Sequence, residues 1–375
     1  MRRIFLGVAA AAGMLCLGSG CATPHAAPRP VFYPPPPAQP RLQFLKSYGN
    51  SDDLGGQSAF ARFIVGKLPP KPIAKPYGVT VHSNSFYVCD TALRAVSILN
   101  LKDRRMDIFA PEDEGRLRSP INMSIDADGT RYVADALRGQ VVIFSPRGEY
   151  AGAIGALAAA PSAGAKGQAP EADAPAAAGA TAGMKPTDVA ITSNRLYVTD
   201  LKAHCVRVYD KASREPLFTI PRGSTAEVSR LFQPTNLAVD RHGRLYVSDT
   251  GGFRVQVYDA DGAFVRSFGQ HGDRYGDMAL PKGVAVDQED RVYVVDARFQ
   301  VVQVFDPEGR LLLVFGEPGA SAASLYLPAK IAIDYENVGF FQKYAAPGFR
   351  LEYLVIVTNQ IGGRKVSVYG FGHPM

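Results

Sequence analysis

From residue 76 onward the apolar positions fall in short runs of β-branched and aromatic residues, broken by turn signals such as Asp261-Gly262 and Glu308-Gly309. Period-two alternation over such short lengths marks strands rather than helices. The runs come in groups of four, and each group opens on a proline. Pro234, for example, leads to Leu237-Ala238-Val239-Asp240, then Tyr246-Val247-Ser248-Asp249, then Val255-Gln256-Val257-Tyr258, then Phe264-Val265-Arg266-Ser267-Phe268.

The same phrase appears six times. Lys75-Pro76-Tyr77-Gly78-Val79 precedes Phe86-Tyr87-Val88-Cys89-Asp90; Pro120 precedes Tyr132-Val133-Ala134-Asp135; Pro186 precedes Leu196-Tyr197-Val198-Thr199-Asp200. After the copy at Pro234, Pro281 leads to Tyr293-Val294-Val295-Asp296, and a looser sixth copy runs from Pro328 to Thr358-Asn359. The prolines at 234, 281 and 328 are 47 residues apart. Four short strands in a period of about 40–50 residues make a propeller blade, and the long 3.6-residue stripes of a helical solenoid are absent.

Leu280-Pro281-Lys282-Gly283-Val284-Ala285-Val286-Asp287, followed by Val292-Tyr293-Val294-Val295-Asp296, resembles an NHL repeat, as does Asp249-Thr250-Gly251-Gly252-Phe253-Arg254-Val255. The resemblance covers roughly residues 72–370 and implies an all-β, six-bladed NHL-type β-propeller spanning 42–375. The sixth copy has too little chain left for an outer strand of its own. Leu42-Gln43-Phe44-Leu45-Lys46-Ser47-Tyr48 is similar to the outer-strand phrases of other copies and is expected to close the ring, covering a sheet edge. Two insertions interrupt the period. Residues 156–183 are almost all Ala, Gly and Pro, and are expected to form a disordered loop. Residues 335–350 hold Phe340, Phe341, Tyr344 and Phe349, and either pack back on the ring or face a partner. A short helix is expected over 57–66, with Gly66 as its stop.

Ahead of the ring, Arg2 and Arg3 precede an apolar stretch from Ile4 to Leu17 that is too short to span a bilayer. Gly18-Ser19-Gly20-Cys21 then resembles the lipobox of bacterial lipoproteins. That resemblance implies a signal peptide over 1–20, lipidation of Cys21 and, since Ala22 is not Asp, anchoring at the outer membrane. Eight prolines between Ala22 and Pro40 favour a polyproline tether over 21–41.

Composition agrees with this division. The chain of 375 residues holds 37 Gly and 28 Pro with 46% hydrophobic residues, a mixture that excludes a helical bundle. Without Arg2 and Arg3 there are 39 basic and 35 acidic side chains, with no basic run, so nucleic acid is not an expected partner. Beyond Cys21 the mature chain keeps Cys89 and Cys205, too few for a disulfide framework and expected to be buried free thiols.

Candidate chemistry is sparse. Asp90, Asp135, Asp200, Asp249, Asp296 and Asn359 recur once per blade, as a structural role demands. Residues that differ between blades are more informative. Two positions after each leading proline stand Gly78, Asn122, Asp188, Asn236, Gly283 and Lys330, expected at the mouth of the central channel. Asn122, Asp188, Asn236 and Lys330 are the candidate ligand-binding residues. The Asn and Asp oxygens suit a hard ion such as Ca²⁺, whereas Lys330 adds an opposing charge; no cofactor is expected, with Ca²⁺ as the alternative. The set is similar in type to the metal site of gluconolactonase-related propellers, though Gly78 stands where those carry Glu. His82, His204, His242 and His271 form no metal pair, and no nucleophile elbow, phosphate loop or haem motif occurs. The expectation is a non-enzymatic, outer-membrane-anchored propeller that binds an envelope protein partner. NHL-type lipoproteins resemble accessory parts of envelope complexes, including those built around multihaem cytochromes. The alternatives are a metal-dependent lactonase or lyase and a small-ligand sensor.

Overall fold

The computed structural model describes residues 29–55, 63–64, 66, 68–155, 183–223 and 227–375. The signal segment, Cys21, most of the helix expected over 57–66 and nearly all of the 156–183 insertion lie outside these residues.

Six antiparallel sheets stand around a ring. Five are simple meanders, each starting at its leading proline. Blade one runs Pro76–His82, Ser85–Asp90, Ala95–Asn100, Arg105–Phe109; blade two begins at Pro120–Ile125, blade three at Pro186–Ile191, blade four at Pro234–Val239 and blade five at Pro281–Val286. The first strand of each blade lies against the first strands of its two neighbours, and blade six contacts blade one, so the ring is closed. Blade six has inner strand Pro328–Asp334, then Phe349–Asn359 and Val366–Pro374. Its outer strand is Leu42–Tyr48, paired antiparallel from Leu42 opposite Phe371 to Tyr48 opposite Val366. The N-terminal closure expected from the sequence is present.

One difference concerns the Pro-rich segment. The sequence placed all of 21–41 in the tether, but Phe32–Tyr33 adds a fifth strand outside Leu42–Tyr48. Tyr33 is buried with its ring 6.2 Å from that of Phe315, and Phe32 meets Phe349 edge-on at 5.4 Å. The two aromatics have apolar seams to fill, and that burial outweighs the extended bias of the prolines around them.

Period-two alternation explains how the blades stack. Successive side chains on a strand point to opposite faces, so each strand serves two seams. In blade three, Leu196 and Val198 pack toward blade two while Tyr197 packs toward blade four. In blade five, Val292 and Val294 face blade four while Tyr293 and Val295 face blade six. The core is therefore divided into hydrophobic clusters, one in each seam of the ring.

The aromatic insertion packs back on the propeller. It forms a four-residue helix, Val338–Phe341, whose Phe341 is buried and stacked on Phe86 of blade one at 6.0 Å. Gln43 of the closing strand reaches it through both amide atoms, donating to the Tyr344 carbonyl and accepting from the Ala346 N–H.

Deleting residues 42–48 removes the buried Leu42, Leu45 and Tyr48 and bares an edge of blade six. At roughly 1.5–3 kcal/mol for each buried side chain, stability should fall by about 5 kcal/mol or more. Thermal melts check this, and an unchanged midpoint would refute closure by this strand.

Candidate functional site

The end of every second strand carries the same device. Asp90 accepts hydrogen bonds from the N–H groups of Ala74 and Lys75, in the loop leading into blade one, and from Ala92 and Leu93 in its own turn. Asp135 does so with Arg118, Ser119 and Arg138, and Asp296 with Ala279, Leu280, Arg298 and Phe299. Asp200 binds Lys185, Lys202 and Ala203, and Asp249 binds Phe232 and Gln233. Arg207 and Arg254 add guanidinium contacts to these two carboxylates. Asn359 replaces the carboxylate in blade six, accepting from the Tyr326 N–H and donating to the Arg364 carbonyl. All six side chains are fully buried. They stitch the lead-in loop to the turn between strands two and three, so both belong to one rim, as the repeat implied.

That turn has a left-handed residue just before strand three: Arg94, Gly139, His204, Phe253 and Gln300 have φ between 52° and 68°. His204 is therefore a turn residue at a position shared by five blades. His is among the residues enriched in this conformation. Cys89 and Cys205 are free thiols. Cys89 is buried as expected, whereas Cys205 is only partly so. Burial pushes the Cys205 thiol up to about 12, with the Asp200 carboxylate adding to the effect.

Asn122, Asp188, Asn236 and Lys330 are brought together, but not as an open set. In blades one, two, three and five the position two after the leading proline faces the next blade's inner strand. A Cβ on Gly78 would lie 2.5 Å from Asn122 Oδ1, and one on Gly283 would lie 2.8 Å from Lys330 Cα and Ile331 N. Glycine is required at both places because the neighbouring backbone passes so close. Asn122 donates from Nδ2 to the Thr187 carbonyl at 2.8 Å, and Asp188 accepts the Leu237 N–H at 3.0 Å. Lys330 is long enough to cross the channel: from blade six its ammonium meets Asp188 Oδ2 of blade three, the opposite blade in the ring. The Val189 N–H donates to Asp188 Oδ1, and Asn236 Nδ2 lies 3.4 Å from Asp188 Oδ2.

All four side chains are buried, and two of their atoms, Asn122 Oδ1 and Asn236 Oδ1, have no hydrogen-bonding partner. These orphan oxygens suit a hard cation. The carboxylate does not, because the Lys330 ammonium already sits on it, and a second cation beside it would be repelled. A resident divalent ion does not fit this set as it stands. Among the described residues, no group of three or more His, Cys, Asp or Glu side chains is placed to hold a metal.

Sequence reasoning missed two neighbours of this cluster, Tyr77 and Lys282, one position after the leading prolines of blades one and five. The Lys282 ammonium lies 5.7 Å from the Tyr77 ring centroid. Burial holds the Tyr77 hydroxyl well above its ordinary range, reinforced by Asp188, and lowers the pKa of Lys282. The signal was available as blade-to-blade variation at the first position after the proline, beside the second position that was read.

With this geometry described, the comparisons place the fold. The NHL repeat model matches residues 184–209 and 233–258, within blades three and four. The chain is an all-β six-bladed propeller carrying NHL repeats. No curated protein sequence matches it. Among solved structures it is similar to a protein of unknown function from Bacteroides thetaiotaomicron, with a TM-score of 0.57 and 16% identity over 89% of this chain and 76% of that one. It is also similar to a gluconolactonase from Xanthomonas campestris, with a TM-score of 0.53 and 16% identity over 92% and 98% of the two chains. A catalytically inactive virginiamycin B lyase from Staphylococcus aureus, solved with quinupristin, gives 0.50 and 12% identity over 80% and 96%. At these identities the likeness is one of fold.

Replacing Lys330 by Ala leaves Asp188 buried without its counter-charge. Losing one partner of a buried pair costs about 3–5 kcal/mol, while an apolar pair of similar volume is far better tolerated. Urea unfolding should show Lys330→Ala strongly destabilised and Lys330→Met with Asp188→Leu substantially recovered. A Lys330→Ala midpoint equal to wild type would contradict the cross-channel bridge.

Proposed function

We propose that this protein is a non-enzymatic binding propeller, held at the bacterial outer membrane through lipid on Cys21, that presents its stitched rim to an envelope protein partner. The observation that carries the reading is the division between channel and rim. In the channel Lys330 is paired to Asp188, whereas the rim turns display basic and apolar side chains to solvent.

The turns between strands two and three cover 91–94, 136–139, 201–204, 250–253, 297–300 and 360–364, and none contains Asp or Glu. They display Arg94, Lys202 and Arg298 to solvent, with Leu93, Leu137 and Ile361 exposed beside them. Phe232 and Tyr275 of the lead-in loops add to the apolar surface. Arg138 is not part of this display, because it is buried and donates to the Glu114 and Arg116 carbonyls. Apolar and basic groups displayed by these turns fit a partner surface that is apolar and acidic. A subunit of an envelope complex, such as one built around a multihaem cytochrome, is the class of partner this reading favours.

The second reading, a metal-dependent lactonase or lyase, has in its favour the orphan oxygens of Asn122 and Asn236. It requires Lys330 to leave Asp188.

Cross-linking in membranes of the native host separates the readings. The wild-type protein should give a discrete heteromeric product that Arg94→Glu with Leu137→Asp loses, with lipid labelling abolished by Cys21→Ser. Recovery of monomer alone would count against a partner. A rise in melting temperature on adding Ca²⁺ to the purified protein would favour the metal-dependent reading instead.

A further inference from the structure

The outer part of the ring, where the closing strand meets blade one, holds a second feature. A cleft of about 170 Å³ opens at the seam of blades six and one. The closing strand contributes Lys46 and Tyr48, the turn after strand three of blade one contributes Leu101 and Arg104, and the aromatic insertion contributes Phe340, Phe341, Lys343 and Tyr344. That turn and the insertion both lie at the blade ends away from Asp90 and Asn359.

Its charge is one-sided. Lys46, Arg104 and Lys343 all line the cleft, and among the described residues no lining residue is acidic. The nearby Asp53 carboxylate is occupied with the N–H groups of Gly49 and Asn50. Both lysines lean on the same ring: Lys46 Nζ and Lys343 Nζ are each 5.2 Å from the Tyr344 centroid. Lys46 also lies 5.0 Å from the Tyr48 ring, and Lys343 lies 6.0 Å from Phe340. Cation–π contacts offset some of the repulsion, but they do not neutralise three cations gathered round one opening. The arginine is held in place from below, since the aliphatic stem of Arg104 covers Gly55, where an added Cβ would lie 3.3 Å from its Cδ.

We infer that this cleft binds the phosphate group of a phosphomonoester, with Lys46, Arg104 and Lys343 converging on its oxygens and Tyr344 and Phe340 flanking the body that carries it. The size permits it: a cleft of about 170 Å³ admits a phosphate group. A phosphate brings about −1.5 to −2 charges and three acceptor oxygens, which matches three separate donors better than a carboxylate does. The rest of the ligand then lies outside, against the exposed edge of Tyr344. The same chemistry is found in a free phosphorylated small molecule and in the phosphate headgroup of a lipid.

Titration of the full-length protein with phenyl phosphate and inorganic phosphate, beside sedimentation with phosphatidylcholine vesicles containing phosphatidic acid, tests the site and separates its sources. The expected result is saturable binding of phenyl phosphate, tighter than inorganic phosphate, weakened about tenfold or more in Lys343→Gln and in Lys46→Gln, as loss of one charge-assisted hydrogen bond requires. Binding to the vesicles alone, with the same sensitivity to both variants, assigns the headgroup as the source. No binding in either arm overturns the proposal, as does binding that both variants leave unchanged. Lys343 is exposed and makes no ion pair among the described residues, so its variant should keep the wild-type melting temperature.

Discussion

The ring depends on a carboxylate that never reaches solvent. In four blades the Asp ending strand two accepts backbone N–H groups from two directions, the loop that leads into the blade and the turn that leaves strand two, while Asp249 accepts from its lead-in loop and from Arg254. Without it, several donors on two irregular segments would be buried beside apolar seams with nothing to accept them, each costing about 1–3 kcal/mol. With it, one side chain fixes both segments at once. Propeller strands pair only within their own blade, so the blades need another means of holding a common rim. The buried carboxylate supplies the local part of it, and the hydrophobic seams supply the rest.

The same dependence explains what could be read from sequence alone. The second-strand phrase is legible because both its demands are local: Tyr197 and Val198 must alternate between seams, and Asp200 must end the strand. Closure by Leu42–Tyr48 was legible for the same reason, since an outer strand keeps its pattern wherever it lies in the chain. Phe32–Tyr33 was not, because proline composition marked the segment as extended and nothing local showed that a seam had space for Tyr33. The candidate site was half legible. Reading one position in six blades singled out Asn122, Asp188, Asn236 and Lys330; Asn236 and Lys330 meet at Asp188, while Asn122 donates to the Thr187 carbonyl next to it. Their relation was not legible, because the reach of Lys330 across the ring is set by channel diameter and by backbone approach at Gly78 and Gly283.

That relation shapes the functional account. An ammonium from blade six lying on a carboxylate of blade three ties opposite sides of the ring and occupies the charge a metal would need. The fold likeness to a lactonase and a lyase therefore carries architecture alone to this chain. Two further groups of side chains stand at the surface: basic and apolar turns on the stitched rim, and the three cations that line the cleft at the seam of blades six and one.

Hydrogen–deuterium exchange tests the central claim most directly, comparing the protein in native-host membranes with the purified protein. If the rim is the working surface, protection in membranes should appear at 91–94, 136–139, 201–204, 297–300 and 360–364 and leave the exchange of the inner strands unchanged. Identical exchange at those turns in both states, or protection confined to the channel strands around Asp188 and Lys330, would contradict it.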